Sequence, residues 1–229
     1  MKNLLLSFLI LTALWAIGFA KEDMNMVKNI HWLGHDTFKI ISEKVIYTDP
    51  FQIKQPDKAD IILITHEHSD HCSPPDVKKL QTDKTIIVAT QDCASKLSGN
   101  INPVKPGDKF TIAGISIEVV PAYNTNKNFH PKAKNWVGYI FTVSGQRIYL
   151  AGDTDQIPEM KTFKTDIALL PVSGTYVMTA DEAVKAALDI KPKIAIPMHY
   201  GAIVGSAKDA ETFANALKGK IEVVILPKE

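Results

Sequence analysis

The 229-residue chain is 45% hydrophobic and 22% charged, an ordinary balance for one globular domain with a sizeable core. Its 26 basic and 25 acidic side chains leave a formal net charge of +1, which argues against a nucleic-acid-binding protein. No internal repeat, low-complexity tract, glycine-rich phosphate loop or dinucleotide fingerprint is present.

The N-terminus stands apart. Lys2 is followed by an apolar run from Leu4 to Phe19, interrupted only by Ser7 and Thr12, and Gly18-Phe19-Ala20 places small residues where a signal peptidase cuts. Residues 1–20 therefore read as a secretory signal peptide, and residues 21–229 as a secreted or periplasmic domain. The alternative is an uncleaved N-terminal membrane anchor, because the run approaches the length needed to span a bilayer.

Asn29–Leu33 and Thr37–Ile41 read as strands around a Gly34 turn, and Val45–Thr48 as a third strand that stops at Asp49-Pro50. His31 and His35 occur singly here and read as structural residues. Pro56–Asp60 leads into Ile61–Ile64, a short, continuous, partly β-branched run that predicts a buried strand. This strand runs into Thr65-His66-Glu67-His68-Ser69-Asp70-His71, which holds three of the chain's seven histidines. His66 and His68 are two apart and project to the same side of an extended backbone. Asp70 and His71 follow as the chain turns. One loop can thus offer two imidazoles to one metal and a carboxylate with an imidazole to a second, a mixture that suits zinc, iron or manganese.

Beyond this loop, Pro74–Leu80 reads as a helix with prolines in its first turn, Thr85–Ala89 as a strand, and Gln91–Leu97 as a helix closed by Gly99. Cys72 and Cys93 would allow one disulfide in an oxidising compartment, and a free Cys72 beside His71 could also meet a metal; two unpaired, partly buried thiols are the preferred reading. Asp108–Ile112 and Ile115–Val120 form a hairpin about Ala113-Gly114. The segment Pro121–Asn135 is a loop that carries His130 among Lys127, Lys132 and Lys134, lysines able to attract an anionic substrate. Trp136–Val143 and Gln146–Leu150 are strands, the second delivering Ala151-Gly152-Asp153-Thr154. Asp166–Pro171 is a strand, with Ser173, Gly174 and Thr175 past its end as candidates for a pocket floor. Thr179-Ala180-Asp181-Glu182 starts a capped helix running to Ile190. Lys193–Ile196 is a strand leading to His199 and Tyr200, Asp209–Lys218 an amphipathic helix, and Ile221–Leu226 a final strand. Periodicity alone gives a mixed α/β protein.

The run His66-x-His68-x-Asp70-His71 resembles the signature of the metallo-β-lactamase-fold hydrolases, and most of all the small stand-alone members related to the ascorbate-phosphate lactonase and ribonuclease Z branches. The resemblance covers nearly all the chain after about residue 25. It implies an α/β fold of the four-layer αββα sandwich type, with the metal loops gathered at one edge. In the family a third histidine follows a strand near residue 121; Ala122-Tyr123-Asn124 stands there instead, so His130 is taken to complete the first metal site with His66 and His68. Asp70, His71 and His199 match the ligands of the second metal, and Asp153 matches the carboxylate that bridges both. Asp49 matches a residue that hydrogen-bonds a ligand histidine, although it also suits a plain turn before proline. Tyr200 reads as a packing tyrosine.

The same resemblance implies two divalent metal ions, zinc ahead of manganese or iron. It implies hydrolysis of a phosphodiester, ester, lactone or amide by a metal-activated hydroxide, with Asp70 and Asp153 as the catalytic carboxylates. The expected partner is a small-molecule substrate, anionic where the loop lysines attract it and otherwise of open charge, with no nucleic acid expected from the net charge and membrane association only if residues 1–20 stay uncleaved; oligomeric state is unspecified. The alternative from a different class is a redox-active, oxygenase-like iron protein, or a non-catalytic metal-binding protein, on the same scaffold.

Overall fold

Short apolar and β-branched runs build two sheets. The computed structural model describes residues 25–229, so the leader read in residues 1–20 lies outside the described residues. The first sheet runs in chain order through β1 (Ile30–Gly34), β2 (Thr37–Ile41), β3 (Val45–Thr48), β4 (Ile61–Ile64), β5 (Ile86–Thr90) and β6 (Asn100–Val104). β1 to β3 form an antiparallel meander, and β3 to β6 are parallel. The second sheet holds β7 (Lys109–Ile112), β8 (Ile115–Pro121), β9 (Val137–Val143), β10 (Gln146–Leu150), β11 (Ile167–Pro171), β12 (Ile194–Met198) and β13 (Glu222–Val223), again in chain order across the sheet. It repeats the plan: antiparallel from β7 to β10, parallel from β10 to β13.

The alternation of side chains along β4 defines the layers. Ile61 and Leu63 pack between the sheets with Phe38, Tyr139 and Phe141, whereas Ile62 and Ile64 pack on the other face with Val77 and Leu80 of α1 (Pro74–Leu80) and Cys93 of α2 (Gln91–Ala94). On the second sheet, α3 (Ala180–Ile190) and α4 (Ala207–Leu217) lie against β11 and β12 and bury Ala183, Ala187, Ile190, Phe213 and Leu217. The result is the αββα sandwich. The Thr179 capping box forms as read, with its side chain accepting from the Glu182 amide. Among the described residues no helix is long and apolar enough to cross a membrane.

Beyond shifts of one or two residues at element ends, three features depart from expectation. The second helix ends at Ala94 rather than Leu97, and the chain then adds β6, an edge strand whose Asn100, Asn102 and Pro103 hide any strand pattern. The last strand has two residues rather than six, because β13 pairs only with β12 at the other sheet's edge. Cys72 and Cys93 are both buried free thiols.

Gly152 fixes the join between the sheets at the site. Its φ is +62°, and a Cβ there would lie 2.9 Å from Thr65 Cβ and 3.1 Å from the Val137 carbonyl oxygen. Glycine alone fits both the left-handed backbone and this close approach. Gly152→Ala is expected to lower unfolding free energy by more than about 1 kcal/mol, read as a shifted urea midpoint. An unchanged midpoint would contradict this role.

Candidate metal centre

Six strand ends supply the site. β4 delivers His66, His68, Asp70 and His71; β1 ends at the turn carrying His35 and Asp36; β3 ends at Asp49; β8 leads to Asn124 and His130; β10 to Asp153; and β12 to His199. The metal loop closes tightly, with the amides of His71 and Cys72 both donating to the His68 carbonyl, at 3.0 and 2.8 Å. His35, Asp49 and His199 have φ of +54°, +33° and +58°, a left-handed backbone that non-glycine residues adopt at a cost of roughly 1 kcal/mol or more each. At these three positions the strain falls where a side chain must be aimed.

Asp153, only 4% exposed, sits between two groups of imidazoles. Its Oδ1 lies 3.2 Å from His199 Nε2 and 3.4 Å from His71 Nε2. Its Oδ2 lies 3.1 Å from His130 Nε2 and 4.0 Å from His66 Nε2, and His66 Nε2 is 3.0 Å from His68 Nδ1. Four of these rings are anchored by their other nitrogen. His71 Nδ1 donates to Asp49 Oδ2 at 2.9 Å, and His130 Nδ1 donates to Asn124 Oδ1 at 3.2 Å. Thr65 Oγ1 gives its proton to Asp49 at 2.7 Å and therefore accepts from His66 Nδ1 at 3.0 Å. Ser173 Oγ lies 2.9 Å from His199 Nδ1. Anchoring Nδ1 leaves the Nε2 lone pair facing inward, the arrangement a metal-binding histidine requires.

The inward atoms lack protein partners. Nε2 of His71, His130 and His199 and Oδ1 of Asp153 are buried without a hydrogen bond among the described residues. Each such atom costs about 1–3 kcal/mol if nothing satisfies it, so their convergence on one place fits a cation. Of the five groups of donor atoms among the described residues that lie within 4.8 Å of one another, two share no residue and include no fully buried acid: His66, His68 and His130, and His35, Asp70, His71 and His199. Zinc bonded to nitrogen at about 2.0–2.1 Å separates its ligands by about 3.3 Å, close to the spacings here.

The structure thus brings His66, His68, Asp70, His71, His130, Asp153 and His199 together, corrects the reading of His35, and adds detail at Asn124 and the loop lysines. His35 is no isolated structural residue: it is 1% exposed, its Nε2 lies 3.1 Å from Asp70 Oδ2, and its ring centroid is 3.9 Å from that of His199. His31, by contrast, lies apart and pairs with Glu229. Asn124, in the Ala122-Tyr123-Asn124 run where the resemblance led to the expectation of a histidine, instead holds one, its Oδ1 accepting from both the backbone and the ring of His130. The three loop lysines are tied up in ion pairs: Lys127 with buried Asp155, Lys132 with Glu159, and Lys134 with Glu67. They brace the loop and leave anion attraction without support at that place. Tyr200 packs on Trp32 with centroids 4.7 Å apart, as read.

The beta-lactamase superfamily domain model matches residues 29–199. The chain belongs to this superfamily. It is 36% identical over 218 residues to the UPF0173 metal-dependent hydrolase TK0141 of Thermococcus kodakarensis, covering 88% of this chain and 96% of the relative. It is 33% identical over 214 residues to the UPF0173 metal-dependent hydrolase Ta0764 of Thermoplasma acidophilum, covering 87% and 95%. A solved protein from Parabacteroides distasonis that carries a metal-dependent hydrolase name is 40% identical, with a TM-score of 0.77 over 86% of this chain and 91% of that one. Igni18, a metallo hydrolase of Ignicoccus hospitalis, shares the fold at a TM-score of 0.72 and 22% identity. The chain is therefore one of the metal-dependent hydrolases on the metallo-β-lactamase fold.

The electrostatics of this hydrolase favour bound positive charge. Burial holds His66 well below the usual imidazole range, and lowers His35 and His68 as well. Burial acts the same way on His71 and His199, but carboxylates overcome it: Asp153 and Asp49 push His71 well up, and Asp153 and Asp36 push His199 up to about 9. Asp153 is held well below the carboxylate range, against burial, by His199 and His71. Asp70 is held at about 2, against burial, by its bond from His35. Asp36, fully buried with both oxygens unpartnered, is raised by burial to about 8. Without a cation, the acids draw protons onto His71 and His199; a metal must displace them.

In metal-free protein the His199 contribution is complete below its unfolded value of 6.5 and is lost as pH rises through about 9. The melting temperature of chelated protein is expected to fall between those limits, and its gap to metal-loaded protein to widen. Differential scanning fluorimetry across that range checks this; a gap that narrows would contradict it.

Proposed function

We propose that the chain holds two divalent cations, zinc foremost, and hydrolyses a small substrate at a phosphodiester, ester, lactone or amide bond. The observation that supports this most is the convergence of unpartnered imidazole nitrogens on the two oxygens of Asp153. In this reading His66, His68 and His130 hold the first ion. Asp70, His71 and His199, joined by His35, would hold the second, and Asp153 would supply a carboxylate between them. Bound divalent ions supply Lewis acidity and bring the ionisation of water toward neutral pH.

The chain's own residues do the rest. Thr65, Asp49, Asn124 and Ser173 hold the imidazoles in one tautomer and orientation. Trp136, with its ring 4.9 Å from His66 and 4.8 Å from His68, closes one wall against water. Asp70 has a side chain 25% exposed, against 4% or less for Asp153, His66, His71 and His199, so it marks the open edge. Kept ionised by His35, it is placed to accept a hydrogen bond from water entering there and to orient it. No activated serine or cysteine is required. Secretion or periplasmic export, through cleavage after Ala20, is likewise a proposal and rests on the sequence of residues 1–20 alone.

His68→Ala is expected to lower metal content and to cut turnover of bis(p-nitrophenyl) phosphate or p-nitrophenyl acetate by more than about 100-fold, with the far-UV circular dichroism unchanged. Asn124→Ala, which frees the His130 ring, is expected to lose about 10–100-fold. Full turnover by His68→Ala would contradict the assignment. Iron found by elemental analysis together with oxygen consumption would favour the redox reading instead.

A further inference from the structure

A cavity of about 390 Å³ opens beside the open edge of the centre, with His35 in its wall. Its volume is that of a small-molecule site. Three of the segments that line it also serve the metal centre: the turn after β1 with Gly34 and His35, the loop following Asp49 with Phe51 and Lys54, and the loop following His199 with Ala202. A molecule in the cavity lies against His35, whose Nε2 is 3.1 Å from Asp70, the carboxylate that faces solvent.

The walls are fixed. The amides of Gln52 and Ile53 donate to the Asp76 carboxylate at 2.9 and 3.0 Å, pinning the second segment to α1. Lys228 is tied to β1 through its bridge to Trp32, and the stem of its side chain lies along Gly34, where an added Cβ would meet Lys228 Cε at 2.7 Å. The charges are uneven. Lys39 is paired with Asp57, and Glu229 with His31. Lys54 and Lys228, both exposed at the rim, have no acidic partner among the described residues, while Leu33 and Phe51 supply apolar wall between them and His35.

From this placement we infer that the substrate carries an anionic group, a carboxylate or phosphate, separated by an apolar spacer from the bond that is cleaved, and that Lys54 and Lys228 receive it. The inference rests on the metal-hydrolase reading. It moves the anion-attracting role from the braced loop lysines to a different face of the centre. One end of the substrate meets the metals at the Asp70 edge, and the chain passes over His35 into the cavity.

The test is equilibrium binding of straight-chain dicarboxylates, glutarate to suberate, against monocarboxylates of the same length, by calorimetry on zinc-loaded protein. At least one dicarboxylate is expected to bind about tenfold tighter than its monocarboxylate. Lys54→Ala with Lys228→Ala should abolish that preference, and the Lys→Arg pair should keep it. Equal binding of both series by the wild type, or a preference that survives the double alanine variant, would overturn the inference. Zinc content of the same samples separates the two readings: zinc retained with no preference sinks this inference alone, and a preference in protein that takes up no zinc sinks the metal-hydrolase reading.

Discussion

The structure depends on one buried carboxylate. Asp153 is nearly sealed from solvent, keeps its charge only because His71 and His199 crowd against it, and turns its second oxygen to His130. A lone ionised carboxylate in such a place would be costly. Between the two dications proposed above it would become necessary, since charges a few ångströms apart in a low-dielectric site repel strongly and a shared anion relieves that repulsion. The surrounding acids, Asp49 and Asp36, extend the same demand for positive charge one layer outward.

The fold exists to deliver that arrangement from distant parts of the chain. Both sheets change from antiparallel to parallel part-way across, at β3 and at β10, and both of those strands end at the site, with Asp49 and Asp153. Parallel strands then present further ends on the same edge, those of β4 and β12, carrying the histidine loop and His199. The left-handed backbones of His35, Asp49 and His199 and the close packing of Gly152 on Thr65 show how little slack the edge contains. Such precision suits ligands that must be held before a metal arrives.

Much of this was legible in the sequence, and what was not has physical causes. The four-residue run ahead of His66 announced a strand because it is fully apolar and is buried on both faces. The histidine cluster announced a metal because its residues are close in sequence. His35 was not legible: it stands alone in sequence and reaches the cluster only through the pairing of β1 with β2 and the turn of backbone beside Gly34. Asn124 was misleading in the opposite sense. It reads as the loss of a ligand, yet in space it is the support of one six residues later. The loop lysines looked like free charge because Asp155, Glu159 and Glu67 lie up to 67 positions away. β6 carried no pattern because an edge strand with a proline needs none.

The most direct test of the central claim is anomalous diffraction at the zinc edge from crystals of the zinc-loaded protein. Two peaks are expected, one on each side of the Asp153 carboxylate, the first in contact with His130 and the second with His199. Absence of any peak at Asp153 in protein that hydrolyses its substrate, or a peak that leaves both His130 and His199 without a metal, would contradict the account.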